Sequence, residues 1–261
     1  MFDALYIGAT GMRAQQTQID AVANNVANLN TVGFHRSVVS FEEATAAASA
    51  TTVDPMIQAV RANLAERGAG ALAHTTTSTV GGALNQTGEP LNIAIDGSGY
   101  LEVIRADGTP AYTRNGALKI NADGELAAAD GTPLAGSLRM PPDMTSVQIT
   151  SDGQVLATVA GQSQPVQVGK LELVSFANPA ALRAVGNNQF VATADSGEAR
   201  AGAPTEQGLG AIKQGYLEAS NVQLVEELTS MMLAQRGFEL NGRVVQAADQ
   251  MMAITNSLYR T

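Results

Sequence analysis

Apolar residues recur at a seven-residue spacing near both ends of the chain, and the middle of the chain lacks such a row. The N-terminal row, with further apolar residues three positions after two of its members, consists of Leu5, Met12, Ile19, Val22, Val26 and Leu29. The C-terminal row consists of Leu224, Met231, Phe238, Val245, Met252 and Tyr259. Seven-residue apolar repeats are typical of helices that pack lengthwise against a partner helix. The pattern therefore predicts two terminal helices and indicates a protein that assembles rather than catalyses.

Turn and capping signals set the limits of the two predicted helices. Residues 31–33 read Thr-Val-Gly, which is typical of a turn, so the first helix is expected to end near Asn30. Ser220 with Gln223 matches a capping box, so the second helix is expected to begin there and to run to about Leu258.

Polar residues on these helices have two possible roles. The amides of Asn24, Asn25 and Asn28 could fix the register of a neighbouring helix through hydrogen bonds, or could form a solvated face. The turn that follows them favours the first interpretation. Glu226 and Glu227 fall in the early turns of the second helix, where negative charge is favourable to the helix dipole.

The middle of the chain carries turn signals in place of helical periodicity. Asp-Gly pairs, which are typical of tight hairpin turns, recur between residues 96 and 153 with short β-rich runs between them. Residues 90–215 are therefore predicted to form a β-barrel or sandwich-like domain with mainly antiparallel strands. Residues 35–89 are expected to be a connector, with a short helix near 55–67.

Composition excludes several classes of function. The chain has 261 residues, no cysteine and a net charge of −9, which argues against nucleic-acid binding because phosphates require clustered Lys and Arg. Without cysteine there are no disulfides and no thiolate metal sites. No apolar run approaches the roughly 20 residues of a membrane-spanning helix. The N-terminus does not resemble a cleaved secretory signal, so if the protein leaves the cytoplasm it is expected to do so by another route.

Candidate catalytic and metal-binding residues are few. The only histidines, His35 and His74, lack metal-ligand spacing and are interpreted as loop residues without a role. The Asp-Gly carboxylates could in principle serve a glycosidase, which needs two facing acids, but turns are the favoured interpretation. We therefore predict no catalytic residue, no metal, no cofactor and no small-molecule substrate. A secreted glycan-active β protein with helical ends is the alternative from a different functional class.

Three stretches carry distinctive motifs. Residues 24–34 contain Asn-Asn-Val-Ala-Asn and Thr-Val-Gly-Phe, residues 111–116 read Ala-Tyr-Thr-Arg-Asn-Gly, and residues 214–228 contain Gln-Gly-Tyr-Leu-Glu and Glu-Glu-Leu. In order and spacing these motifs closely resemble those of the bacterial flagellar basal-body rod family, and most of all its distal-rod members. The resemblance covers both termini and much of the middle of the chain.

The resemblance implies an α+β fold. The terminal helices, in residues 1–34 and 216–261, would pair into an axial coiled-coil domain from which the β-rich domain projects outward. Subunits would leave the cell unfolded through the flagellar type III export apparatus and stack helically into a tube. That tube would span the periplasm as the rod and transmit motor torque to the hook.

The partners that the resemblance implies are copies of the chain itself, other rod proteins, the hook protein, the P- and L-ring proteins and the export apparatus. Together with the helical pattern it predicts an assembly interface that comprises Leu5, Met12, Ile19, Val22, Asn24, Asn25, Val26, Asn28, Leu29, Gly33, Phe34, Leu224, Glu226, Glu227, Leu228, Met231, Gln235, Arg236, Phe238, Asn241, Val245 and Met252. Residues 44–72 depart from the family pattern because they are Ala-rich and are predicted to be helical. A proximal-rod subunit of the same family is the nearest alternative.

Overall fold

A computed structural model of the chain describes residues 2–43, 71–161 and 164–258. The helices of these ranges are α1 (Phe2–Ala27) and α2 (Leu224–Leu258), with a 3₁₀ turn at Pro179–Ala181. The strands are β1 (Ser37–Glu43), β2 (Ala71–Thr77), β3 (Leu84–Gln86), β4 (Ile93–Asp96), β5 (Tyr100–Ile104), β6 (Pro110–Thr113), β7 (Lys119–Ile120), β8 (Leu126–Ala127), β9 (Met144–Ile149), β10 (Gln154–Val159), β11 (Val166–Lys170), β12 (Leu173–Ser175), β13 (Arg183–Gly186), β14 (Gln189–Val191), β15 (Arg200–Gly202), β16 (Ala211–Gln214) and β17 (Tyr216–Glu218). The short helix predicted near 55–67 lies outside the described residues.

The chain divides into two compact units. The helical unit comprises Met1–Ala27, Ser37–Thr76 and Gln223–Thr261, and the β unit comprises Asn28–Arg36 and Thr77–Val222. Both predicted terminal helices are present, so the α+β class is confirmed. None of the described helices combines the length and apolarity required to cross a bilayer.

The first helix ends slightly earlier than expected. It stops at Ala27 rather than near Asn30, because the chain then turns back on itself, with the Thr31 N–H donating to the Asn28 carbonyl at 3.1 Å. Both residues of that hydrogen bond belong to the β unit.

The second helix begins later than the capping-box pattern predicted, at Leu224 rather than Ser220. The reason is that Asn221 is held by other partners within the β unit. Its side-chain oxygen accepts a hydrogen bond from the Arg36 N–H at 2.7 Å, and its amide donates to the Val80 carbonyl at 2.7 Å. The helix continues to Leu258, the last residue that the structure describes.

The strands of the β unit form several open sheets. The largest has the order β13-β14-β6-β5-β12-β15, a second has the order β11-β10-β9, and the pairs β16-β4, β17-β3 and β7-β8 complete the unit. Each of these strand pairings is antiparallel, as predicted. Among the described strands no sheet closes on itself, so the expectation of a barrel was wrong.

Asp-Gly turns connect neighbouring strands where the sequence predicted them. Gly108 lies between β5 and β6 with a φ of 78°, Gly124 lies between β7 and β8 with a φ of 77°, and Gly153 lies between β9 and β10 with a φ of 87°. Positive φ angles are adopted readily only by glycine, so these residues allow the tight reversals. The core between the strands includes Leu101, Val103, Leu126, Val155 and Leu173, all fully buried or nearly so.

Candidate assembly site

The two helices of the helical unit run antiparallel, and their backbones approach each other closely at glycine residues. Contacts pair residues near the start of α1 with residues late in α2, and residues near the end of α1 with residues early in α2. At Gly8 an added Cβ would lie 2.7 Å from Val245 Cγ2, and at Gly237 it would lie 3.0 Å from Gln15 Cδ. These glycines therefore let the two helices approach more closely than larger residues would allow.

The most buried row of α2 consists of small and polar residues rather than the large apolar ones. It repeats every seven residues and comprises Glu227, Ala234, Asn241 and Ala248. Ala234 and Ala248 are almost completely buried, whereas Leu224 and Phe238 of the apolar row are exposed by 42% and 38%. The large apolar row thus lies beside the internal contact rather than at its centre.

Asn25 connects three elements of the helical unit. Its amide donates to the Ser37 carbonyl at 2.8 Å and to Glu227 Oε2 at 3.1 Å, and its oxygen accepts from the Ser37 N–H at 2.8 Å. It is 1% exposed, so these bonds satisfy an amide that would otherwise be costly to bury. The end of α1 is thereby fixed in register with the start of β1 and the first turn of α2. All of these hydrogen bonds lie within the chain.

A second apolar surface runs along α2 on the side opposite the buried row. We call it the outer face, and it comprises Val225, Leu228, Met232, Leu233, Leu240, Val244, Met251 and Ile254. Their spacings of three, four and seven residues place them along one side of the helix. Val225 is 78% exposed and Leu233 is 66% exposed. A helix that is packed on one side and carries exposed apolar residues on the other is typical of a helix that binds a partner through the exposed side.

The β unit contains a buried ionic cluster formed by Arg114, Glu218 and His35. Arg114 Nε donates to Glu218 Oε2 at 2.8 Å, and His35 Nε2 lies 3.0 Å from Glu218 Oε1. The side chains are 6%, 1% and 3% exposed, respectively. Arg114 also donates to the carbonyls of Gly99, Ile95 and Gly97 at 3.2, 3.2 and 2.9 Å. Its guanidinium is therefore hydrogen-bonded as well as ion-paired, which a buried charge requires.

Backbone geometry holds Glu218 in place. It is the last residue of β17, which pairs with β3, and its Oε1 accepts a hydrogen bond from the Gly82 N–H at 2.9 Å. A Cβ at Gly82 would overlap the carbonyl oxygen of Ala219, so only glycine fits there. Gly33, with a φ of 65°, donates its N–H to the Glu218 backbone carbonyl at 2.7 Å. The turn that follows the first helix is thus fastened to the strand that precedes the second.

Ionisation in the cluster reflects two opposing effects. Burial raises the pKa of Glu218, but the hydrogen bond from His35, the charge of Arg114 and the Gly82 N–H together hold that pKa below its ordinary value of 4.5. The neighbouring Tyr100 ring lies 5.8 Å from Arg114 Cζ. Burial raises the pKa of Tyr100, although Arg114 opposes this change. Glu218 is therefore an anion that is ion-paired with Arg114 and hydrogen-bonded to His35 and Gly82, which suits it for a structural role.

The structure places the residues of the predicted interface at three levels of burial. Val22, Asn25, Gly33 and Glu227 are buried. The half-buried members are Leu5, Met12, Ile19, Val26, Asn28, Leu29, Phe34, Met231, Asn241, Val245 and Met252. The exposed members are Asn24, Leu224, Glu226, Leu228, Gln235, Arg236 and Phe238. Asn28, Leu29, Gly33 and Phe34 belong to the β unit, and the others belong to the helical unit.

Sequence reasoning missed the ionic cluster. It assigned His35 to a loop without a role, which was wrong, because His35 is 4% exposed and bonded to Glu218. His74, by contrast, is exposed on β2. Arg114 and Glu218 each lie within one of the motifs described above, but they are 104 positions apart, so no local pattern indicated that they pair. Within the described ranges no group of three His, Asp or Glu residues could hold a metal ion.

Comparison with known proteins gives three matching family models. The model for the flagella basal body rod protein matches residues 5–35, and that for the flagellar hook protein FlgE/F/G D1 domain matches residues 94–157. The model for the flagellar basal body rod FlgEFG protein C-terminal region matches residues 213–258. Together they include α1, much of the β unit and α2.

Curated relatives match along the whole chain. The flagellar basal-body rod protein FlgG of Borreliella burgdorferi is 35% identical and covers 100% of both chains. That of Agrobacterium fabrum is 38% identical over 97% of this chain and 98% of its own. That of Bacillus subtilis is 36% identical over 97% of each.

Proposed function

The chain belongs to the flagellar basal-body rod protein family, and from this membership we propose that it polymerises through its terminal helices into a tube that transmits motor torque to the hook. It is a structural, non-enzymatic subunit of the distal rod in the flagellar basal body. The full-length relatives favour this function over a proximal-rod subunit and over a glycan-active protein.

Assembly with other rod and hook components follows from the family. We further propose contacts with the P- and L-ring proteins where the rod crosses the periplasm. The subunit would reach that site through the flagellar type III export apparatus, without a cleaved signal peptide. The absence of cysteine is compatible with a chain that passes between redox compartments unfolded.

The observation that carries the polymerisation proposal is the outer face of α2. The buried row of α2 faces α1 within the chain, so its large apolar residues on the other side remain available to a neighbouring subunit. Leu233 and Leu240, 66% and 60% exposed, lie seven residues apart on this surface. Burying such side chains fully would contribute about 1.5–3 kcal/mol each. A row of such exposed side chains is typical of a surface that binds a neighbouring subunit.

A matched pair of charge substitutions tests the proposal. Leu240→Asp places a carboxylate on the outer face, and Gln246→Asp places the same group on an exposed polar part of the same helix. Both positions are exposed, so each variant should fold like the wild type. In a strain that lacks the native gene, Leu240→Asp should be exported but should give truncated rods and no swimming, whereas Gln246→Asp should restore both. Normal rods from Leu240→Asp would refute a role for the outer face.

A further inference from the structure

Three segments of the β unit are held together mainly by polar contacts. They are residues 28–36, 78–88 and 215–221, and we call them together the clasp. The structure describes every residue of the clasp, and the buried ones are Gly33, His35 and Glu218, none of which has an apolar side chain. The hydrophobic clusters of the β unit consist of other residues. The clasp therefore gains less than the rest of the β unit from the burial of apolar surface.

Hydrogen bonds join the first and third segments of the clasp along much of their length. The Gly33 N–H donates to the Glu218 backbone carbonyl at 2.7 Å. The Asn221 N–H donates to the Phe34 carbonyl at 3.3 Å, and the Arg36 N–H donates to Asn221 Oδ1 at 2.7 Å. Separating these two segments would therefore break several hydrogen bonds at once.

The second segment of the clasp is bonded to both of the others. The Ser78 N–H donates to the Arg36 carbonyl of the first segment at 2.9 Å. The Thr87 N–H donates to the Gly215 carbonyl of the third segment at 2.8 Å, and β3 pairs with β17 beside this contact. Removing any one segment would thus leave donors or acceptors of the other two without their partners.

We propose that the clasp opens and closes as a single unit while the hydrophobic clusters of the β unit stay folded. Regions with few buried apolar contacts open more readily than the core of a domain. The hydrogen bonds that are broken on opening are largely replaced by hydrogen bonds to water, whereas opening a hydrophobic cluster would expose apolar surface. Because each segment is bonded to the other two, the three segments open together.

The clasp contains both places where the chain passes between its two units. Residues 28–36 follow α1, and residues 215–221 precede α2. One opening event would therefore release both connections, and one closing event would fix both. This behaviour belongs to the single subunit, so its test is independent of polymerisation into a rod.

Amide hydrogen exchange of the full-length chain, measured by NMR at increasing low urea concentrations, tests the proposal on the wild type. The amides of Gly33, Thr87 and Ala219 represent the three segments, and each donates to a backbone carbonyl. All three should exchange through one opening, with the same free energy and the same urea dependence. The amides of β5 and β10, which lie inside their sheets, should require a larger opening. Separate urea dependences for the three segments would overturn the proposal.

A substitution in the third segment tests whether the clasp is cooperative. Asn221→Ala removes the side-chain hydrogen bonds to the Arg36 N–H and the Val80 carbonyl. Gly33 and Thr87 are not hydrogen-bond partners of Asn221, yet exchange at both should accelerate by the same factor, about 5- to 150-fold for two lost hydrogen bonds. A change confined to Arg36 would contradict a cooperative opening.

Asn121→Ala is the matched control outside the clasp. It also removes two hydrogen bonds, which the Asn121 side chain accepts from the N–H groups of Asp123 and Glu125 between β7 and β8. Because these bonds persist when the clasp opens, exchange at Thr87 should stay at the wild-type rate, although exchange in β5 and β10 should accelerate. Equal acceleration at Thr87 by both variants would mean that the clasp opens only on global unfolding, which would overturn the proposal. If Asn221→Ala does not fold, the wild-type measurement decides.

Discussion

Replacing Glu218 by glutamine measures how much the buried ionic cluster stabilises the β unit. Three donors converge on its carboxylate, namely His35 Nε2 and the Gly82 N–H on one oxygen and Arg114 Nε on the other. Glutamine has nearly the same shape but only one acceptor oxygen, so at least one of these donors would face an NH₂ group. Arg114 would also lose its counter-charge at 6% exposure.

The magnitude follows from that burial. Removing one partner of a buried ion pair typically costs about 3–5 kcal/mol, because the remaining charge stays desolvated. A domain's total stability is about 5–15 kcal/mol, so the loss is a large share. With a urea m-value of roughly 2–3 kcal/mol/M, the unfolding midpoint should fall by about 1–2.5 M.

Tyrosine fluorescence during urea titration is a suitable assay. The chain has five tyrosines and no tryptophan, and Tyr100 lies beside Arg114. Asp96→Asn serves as the control, because it breaks the Lys213–Asp96 pair, in which both side chains are about half exposed. The control midpoint should stay at the wild-type value, since exposed pairs contribute little. Equal shifts for Glu218→Gln and Asp96→Asn would refute the assignment of a large stabilising role to the buried cluster.

The remaining predictions concern acid stability and the helical unit. Since the pKa of Glu218 is lowered in the folded chain, its contribution is present above pH 4.5 and is lost as the pH falls through the folded value. The difference between wild type and Glu218→Gln should therefore shrink in unfolding titrations below pH 4.5. Gly8→Ala should lower the melting temperature, because its Cβ would meet Val245 Cγ2, whereas Gly242→Ala has open space and should raise stability by about 1 kcal/mol. Asn25→Leu should cost roughly 1–3 kcal/mol for each buried partner left unsatisfied, as measured by urea unfolding, and a wild-type midpoint would contradict its role in register.

Sequence patterns predicted helices and turns correctly where residues close together in the chain determine them. The seven-residue rows located both terminal helices, and the Asp-Gly pairs located turns, because each depends on residues close together in the chain. The start of α2 was misplaced, since Asn221 is held by Arg36, which is 185 positions away. His35 was misjudged for the same reason, because its partner Glu218 is 183 positions away. No local window contains both members of either pair.

The internal contact of α2 differed from the predicted row for another physical reason. Periodicity identifies the largest apolar residues, but burial between helices depends on how closely their backbones approach. At Gly8 and Gly237 the helices are close enough that an added Cβ would collide or crowd its neighbour. Small residues are therefore favoured at that contact, and Ala234 and Ala248 are buried there while Phe238 is not. Many of the large apolar residues of α2 are therefore exposed and contribute little to the packing of the single chain.

Substitutions on the two faces of α2 are therefore expected to have different effects. The helix has 35 residues and α1 has 26, so their lengths are about 52 and 39 Å and α1 cannot cover α2 completely. Enlarging Ala234 or Ala248 should destabilise the isolated subunit, because those side chains are enclosed within it. Charging Leu233 or Leu240 should leave the isolated subunit intact and impair only its association, because those side chains are exposed until another chain covers them. Subunit stability and rod assembly are thus separable by substitution along a single helix, which a purely internal helix pair would not permit.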